Sequence, residues 1–519
     1  MIRVSALLFI LLIGRANADA GVGGSGGIGF DPHLTTEVYA TALAFMAPRT
    51  LEPVPVSQLT LWGLRGLTAL DPAVIAELRD GRLRLVQQNR PVFDTAGPKD
   101  EDPRAWATVA TSLASAAVGS SPAIRQAGTQ GIVQSFFDEV FNHLDPYSRY
   151  VGPSEAGEDR EQRNGVAGIG LTLMKRGAAI VVQSVIGEGP AALAGLRPGD
   201  AILTVDGQGT RGRDVAAVAG WIAGPENTVL TLAWRGRDGR VRSQDMTRVM
   251  VPPDTVFTQR VGDTLILRIT GFNHSTDAQL SRALQDELAS PRAPTGLVLD
   301  LRGNRGGLLR QAVTAADALL PTGVIAYTAG RDPAAAHVWR SGSGELAEDV
   351  PIVVTVDGRT ASAAEVLAAA LADRGRAVVV GSVTLGKGLV QTIAGLPDGG
   401  ELFVTWSRVL APRLWPLQGL GVLPQVCTSL GGDVLHRQLA ALADGIQPMQ
   451  AAILAHRAAR APLPPAQVLA LRAPCPAAEG RDADIDTART LIGNPAAYAA
   501  ALLPPMIEGQ QSAVVPPSQ

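Results

Sequence analysis

The sequence predicts an α/β protein with helical regions at both ends, and three observations carry that expectation. Short runs rich in β-branched and aliphatic residues recur at 265–270, 297–301, 352–356 and 377–380, as buried strands do. Between them, 276–288, 307–319 and 363–373 read as helices, the last alanine-rich with Leu367 and Leu371 at helical spacing. Glycine-containing turns separate the two kinds of segment, and strand–helix–strand order is the signature of an α/β core.

Taken in order, the chain begins with Met1-Ile2-Arg3, a mostly apolar stretch from Val4 to Ile13, and Ala16-Asn17-Ala18, the form of a secretory signal peptide over residues 1–18. That stretch ends at Gly14 and Arg15, short of the roughly 20 residues that span a bilayer. The expectation is an exported protein, periplasmic in a double-membraned bacterium. Residues 19–29 are a glycine-rich tether. Residues 30–158 read as a helical domain from the spacing of Tyr39, Leu43 and Met46 and of Ile132, Phe136, Phe137, Val140 and Phe141, with a loop from Asp94 to Asp102. Residues 159–250 form the next unit and 251–430 the α/β core. Residues 431–519 are an alanine-rich helical region with a Pro-rich end, from Leu503, that is expected to be disordered.

Within the core, Ile352 to Val356 is a β-branched run, Asp357-Gly358-Arg359-Thr360 a turn, and Ala361 to Asp373 a helix stopped by Arg374-Gly375. Ser362 thus stands where strand turns into helix, beside backbone N–H groups that lack partners inside the helix. A serine hydroxyl becomes a nucleophile only when a base takes its proton. Only Lys99, Lys175 and Lys387 occur among 45 Lys+Arg. Arginine keeps its proton near neutral pH, whereas a buried lysine can lose it, so Lys387 between Gly386 and Gly388 is the candidate base. Taken singly, Ser362 is as readily a helix cap and Lys387 a solvated charge.

Thr360-Ala361-Ser362-Ala363-Ala364-Glu365, followed by Gly386-Lys387-Gly388-Leu389-Val390-Gln391, resembles the Ser-Ala-Ser-Ala-Ser-Glu and Gly-Lys-Gly-x-Val-Gln motifs of the carboxyl-terminal processing peptidases, or tail-specific proteases. The resemblance implies Ser362 as nucleophile, Lys387 as general base and Gln391 as the residue that orients the lysine, which requires a compact Gly386–Gly388 turn. Ala364 stands where the motif commonly has a second serine, removing a hydrogen bond but not the nucleophile. Gly296 to Gly307 resembles the family's Asp-Leu-Arg-x-Asn-Pro-Gly-Gly segment, and the N–H groups of Gly306 or Gly307 with that of Ala363 are then expected to form an oxyanion hole. Arg305 replaces the usual proline, which is expected to loosen the turn and adds a positive charge. Leu144-Asp145-Pro146-Tyr147-Ser148 resembles the Leu-Asp-Pro-His-Ser motif, with Tyr147 for histidine, although an Asp-Pro helix stop explains it equally well. Asp373 matches an acidic position of the family and reads as structural, capping or pairing with Arg374 or Arg376.

Gly165 to Leu171 and Gly189 to Gly207 resemble a PDZ domain. Such a domain adds a peptide as an extra strand and holds its terminal carboxylate on backbone N–H groups, here those of Ala167, Gly168, Ile169, Gly170 and Leu171. The implied architecture is a crotonase/Clp-like peptidase core with an inserted PDZ domain and helical N- and C-terminal regions. Gln425 departs from the expected aspartate after Pro424.

A formal net charge of −3 and the lack of a basic cluster argue against nucleic acid as a partner. The six histidines form no pairs at metal-ligand spacing, and neither cysteine does, so no metal and no cofactor are expected. Cys427 and Cys475 are available for one disulfide in an oxidising compartment. The expected function is an exported serine endopeptidase that recognises protein C-terminal tails. The alternative is a catalytically silent PDZ adaptor that presents tails to another protease, for which Tyr147, Arg305 and Ala364 speak. A Ser-Lys esterase acting on small substrates is a third reading. An activating adaptor and homo-oligomerisation are left open.

Overall fold

Six strands lie side by side in the order Val256–Val261, Thr264–Ile269, Gly296–Asp300, Ile352–Val356, Ala377–Gly381 and Val426–Cys427. The first pair is antiparallel and the others parallel, with Leu297 opposite Ile352 and Ile352 opposite Ala377. Alternate side chains go to opposite faces, and both faces are covered. Leu265, Leu267, Leu297, Leu299, Ile352 and Val354 pack under the helices Thr276–Leu288, Leu309–Asp317 and Ala363–Asp373. Ile266, Val298, Val353, Val378 and Val380 pack under the C-terminal helices Gly432–Ala443, Asp482–Ile492 and Pro495–Ala501. Burial on two faces is why the central strands Gly296–Asp300, Ile352–Val356 and Ala377–Gly381 are buried along their whole length and read as mostly apolar runs and not as alternating ones. The molecule is described here by a computed structural model covering residues 29–504, apart from 188 and 343. The expected signal peptide, almost all of the tether and most of the Pro-rich end lie outside the described residues.

A second, antiparallel sheet runs His337–Ser341, Gly323–Ala329, Glu401–Leu410, Leu389–Gly395. The N-terminal domain joins it through Arg149–Val151, which pairs with residues 401–403, and Leu402 and Val404 sit in the same apolar cluster as Phe137 and Tyr150. That domain is less helical than its spacing suggests. Val74–Arg79, Arg82–Gln87 and Arg90–Ala96 form a three-stranded antiparallel sheet, so Asp94 to Ala96 are strand and not loop. The first turn is Asp80-Gly81, both at positive φ, a hairpin signal present in the sequence but outweighed by the helical periodicity on either side.

The third unit is a sheet ordered 241–247, 229–235, 201–205, 179–185, 171–176, with the helix Val215–Ile222 beside its edge strand Leu171–Arg176. Its entry and exit strands, Val166–Gly168 and Val249–Val251, pair antiparallel as a neck. The continuous helix Pro153–Asn164 crosses the boundary expected at 158 and leads directly into that neck.

Asp373 ends the helix that starts at Ser362 and is fully buried, but its partners are not Arg374 or Arg376. Arg457, from the C-terminal helix Gln450–Arg457, donates to it at 2.7 Å, and the Trp415 indole N–H does so at 2.7 Å. The cation comes from 84 residues further along the chain, while Arg376 pairs with Glu345 and Arg374 donates to the Thr322 carbonyl. Cys427 and Cys475 are joined by a disulfide that ties the same C-terminal region to the sheet. Arg457→Leu leaves the Asp373 carboxylate buried without its cation. The expected result is a loss of about 3–5 kcal/mol in denaturant unfolding; an unchanged midpoint would show that this pair does not hold the C-terminal helices to the core.

Candidate active site

Ser362 caps the helix Ala363–Asp373 with φ 58° and ψ −121°, a conformation that a residue with a Cβ adopts only under constraint. The constraint is Glu365. Its carboxylate is completely buried and accepts the Ser362 N–H at 2.7 Å, the Gly386 N–H at 2.7 Å, the Lys387 N–H at 2.9 Å and the Thr384 hydroxyl. One carboxylate therefore holds the strand-to-helix turn and the lysine turn together. Burial pushes this carboxyl above its usual range, and the hydrogen bonds from Thr384, Gly386, Ser362 and Lys387 pull it back.

The lysine turn is compact because Gly386, at φ 88°, lies against Gly419 and Gly421, where a Cβ would come within 2.9 Å of main chain. The Gly419 N–H donates to the Gly386 carbonyl at 2.9 Å, and the Gln418 side chain accepts the Gly388 N–H at 2.9 Å. Lys387 is half-buried. Burial, and after it the Arg149 charge, push its amine below the usual lysine range, while Asp145 and Glu365 act in the opposite direction.

Ser362, Ala363, Lys387, Gln391 and Gly307 line one cavity of about 310 Å³, with walls from Leu389, Val390, Phe403 and Val409. Gly306 is not among the lining residues. Its N–H donates to Asn304 Oδ1 at 2.8 Å and the residue packs against the Ser362 Cβ and the Ala363 nitrogen, so of the glycine pair Gly307 is the one that faces the cavity. Arg305 does not loosen the turn. Asn304 is buried, donates to the Ile269 carbonyl at 2.8 Å and accepts the Ala361 N–H on its own carbonyl at 2.9 Å, which fixes the backbone on either side.

Gln391 donates both amide hydrogens elsewhere, to the Leu389 carbonyl at 3.1 Å and to Thr405 Oγ1 at 3.0 Å. Its carbonyl oxygen is what it has left to offer Lys387. Thr405 in turn donates to Asp145 at 2.7 Å, and Asp145 also accepts from the N–H groups of Tyr147 and Ser148. The Leu144–Ser148 segment is thus more than a helix stop: it docks on the strand beside Gln391 and places the Tyr147 ring 5.0 Å from Lys387 Nζ. Glu365 and Asp145, which the motifs contain without a role assigned to them, and Thr405, which no motif contains, complete the site. For Glu365 a signal existed, since Ser-x-x-Glu at a helix start is a capping-box pattern.

In the third unit, Ala167 to Leu171 line a groove of about 840 Å³ with Leu173, Ala219, Ile222 and Ala223. Ala167 and Gly168 pair with Met250 and Val249 in the neck, so the turn at the groove mouth is Ile169-Gly170-Leu171, with Gly170 at φ 76°.

Residues 263–428 match the model of peptidase family S41, and residues 181–236 match that of a PDZ domain. The carboxy-terminal-processing protease of Bartonella bacilliformis is 33% identical over 304 residues, covering 57% of this chain and 69% of that protein. The carboxyl-terminal-processing protease of Synechocystis sp. is 32% identical over 297 residues, covering 55% and 69%. Among solved structures, the photosystem II D1 C-terminal processing protease shares 25% identity over 73% of this chain and 97% of that one, with a TM-score of 0.35. The matched span holds both the Ser362 and the Lys387 motifs, and on this identity and coverage the chain belongs to peptidase family S41, as a serine-type carboxyl-terminal processing protease with a PDZ domain.

Proposed function

We propose that the chain is an exported endopeptidase that cleaves proteins near their C-termini by a Ser-Lys mechanism, with the tail held in the PDZ groove. The observation that carries the mechanism is that one buried carboxylate, Glu365, holds the backbones of Ser362 and Lys387 at one cavity. Neutral Lys387 takes the Ser362 proton as Oγ bonds to the substrate carbonyl carbon, and the resulting oxyanion accepts the N–H groups of Ala363 and Gly307. The lysine then protonates the departing amine, and the same base activates the water that hydrolyses the acyl-serine. Gln391 acts on Lys387 as a positioning residue through its carbonyl oxygen.

Tail binding is supported by the free edge of Leu171–Arg176, where a peptide can add as a strand, and by the apolar groove that ends at Ile169-Gly170-Leu171. The second sheet packed beside the parallel one supports a crotonase/Clp-type core. Export is supported by the pattern of residues 1–18 and by the buried disulfide, which suits an oxidising compartment.

With an unstructured, tailed protein as substrate, Ser362→Ala and Lys387→Ala are each expected to lower kcat/KM by about a thousandfold or more; cleavage equal to wild type in either variant removes that residue from the chemistry. Amidating the substrate's C-terminus should raise KM by about tenfold and leave kcat nearly unchanged, because the tail binds away from the bond that breaks. An unaltered KM argues against carboxylate capture. The base must be neutral, so kcat/KM rises with pH through the Lys387 pKa. Since Arg149 depresses that pKa, Arg149→Gln should move the rise to higher pH; a profile that stays in place rules out Lys387 as the titrating base. Glu365→Gln replaces one carboxylate oxygen, and the two hydrogen bonds it accepts, by an amide NH2 that faces donors, and is expected to cost about 2–3 kcal/mol of stability and most of the activity, read by denaturant unfolding and by cleavage.

A further inference from the structure

The cavity beside Ser362 carries more positive than negative side chains, and all but one of its arginines are already engaged. Arg149 lies 3.6 Å from Asp159 and stacks on the Phe403 ring at 4.0 Å. Arg163 donates to Glu401 at 2.6 Å and lies 3.9 Å from Asp159. Arg305 lines the same cavity, is exposed, and among the described residues has no salt-bridge partner. Its backbone is nonetheless held, because the buried Asn304 before it and Gly306 after it are hydrogen-bonded to each other and Gly306 packs against the nucleophile turn. Gly307, two residues on, is the glycine that faces the developing oxyanion. A guanidinium carried on that backbone, with no salt-bridge partner among the described residues, offers a planar pair of donors to a carboxylate on the bound peptide.

We infer that Arg305 is a specificity-determining residue that favours substrates with a carboxylate beside the scissile bond. This rests on the peptidase reading above and adds a substrate class to it. The carboxylate has two sources: the side chain of an aspartate or glutamate flanking the bond, or the chain terminus itself when the bond lies within a residue or two of the end. Both present the same chemistry to Arg305. The tail-binding groove, lined by Glu158, Glu161 and Asp254 and by no arginine or lysine, does not duplicate this preference.

The test uses quenched fluorescent peptides that share one apolar C-terminal tail and carry glutamate, glutamine or lysine at each position flanking the cleaved bond. A second set ends just past that bond, as the free acid or the amide. Wild type, Arg305→Gln and Arg305→Glu are compared by kcat/KM at low and high salt. The expected result is a preference of about threefold to tenfold for glutamate over glutamine at one flanking position, weakened by salt, abolished in Arg305→Gln and turned toward lysine in Arg305→Glu. Retained cleavage of the lysine peptide by Arg305→Glu also shows that this variant folds. A wild-type preference confined to the free-acid short peptides, lost in Arg305→Gln, assigns the carboxylate to the chain terminus. Equal cleavage of the glutamate and glutamine peptides and of the acid and amide short peptides by wild type overturns the inference and leaves the peptidase reading intact. A glutamate preference that survives in both variants does the same. Cleavage of no peptide by wild type overturns the peptidase mechanism and this inference with it.

Discussion

The buried Glu365 carboxylate is the interaction on which the site depends. A carboxylate taken out of water is costly unless its lone pairs are met, and here they are met by groups from two separate segments: the Ser362 N–H on one side, and Thr384, Gly386 and Lys387 on the other. The same contacts that offset its burial hold the unusual Ser362 backbone in place and set the lysine turn beside it. Three-dimensional proximity of nucleophile and base is thus a consequence of satisfying one charge. Helix packing alone would locate the helix Ala363–Asp373 without fixing the turn at its start.

Around this clamp the rest of the chain acts as bracing from a distance. The Gln418–Gly421 segment fills the space that Gly386 leaves open, and Arg472 from the C-terminal helix Pro465–Arg472 donates to the Gly419 and Leu420 carbonyls. From the other end, the Asp145 turn docks on the strand that carries Thr405 and brings Tyr147 and Arg149 to the lysine. The Lys387 amine therefore has its charge set by groups remote in sequence: burial and Arg149 disfavour it, Asp145 and Glu365 favour it. Helix Pro153–Asn164 stands between the catalytic cavity and the tail groove, and Gln162 lines both.

Much of the core was legible in advance because its physics is local. The strands at 352–356 and 377–381 are buried over their whole length and, Thr355 apart, carry no polar side chain, since both faces are covered, and the helix from Ala363 to Asp373 is written in alanines and leucines at helical spacing. The N-terminal domain was harder: Asp80-Gly81 is a clear turn and Arg82–Gln87 alternates in burial, yet these strands are only six residues each and strong helical periodicity on either side masks them. Asp373 is structural, but its cation is not one of its sequence neighbours, because a buried carboxylate takes whichever arginine the tertiary fold delivers.

By itself, the amino-acid order determined the α/β pattern, the strand-to-helix placement of Ser362, the glycine-flanked lysine and the glycine turn at 306–307, since each is a matter of propensity and short-range geometry. Only the tertiary structure decided that Gly307 rather than Gly306 faces the cavity, that Asp145 and Thr405 stand behind Gln391, and that Arg305 is left without a salt-bridge partner among the described residues. Those outcomes depend on which hydrogen-bonding groups are met by others far along the chain, and that competition is settled only when the layers pack.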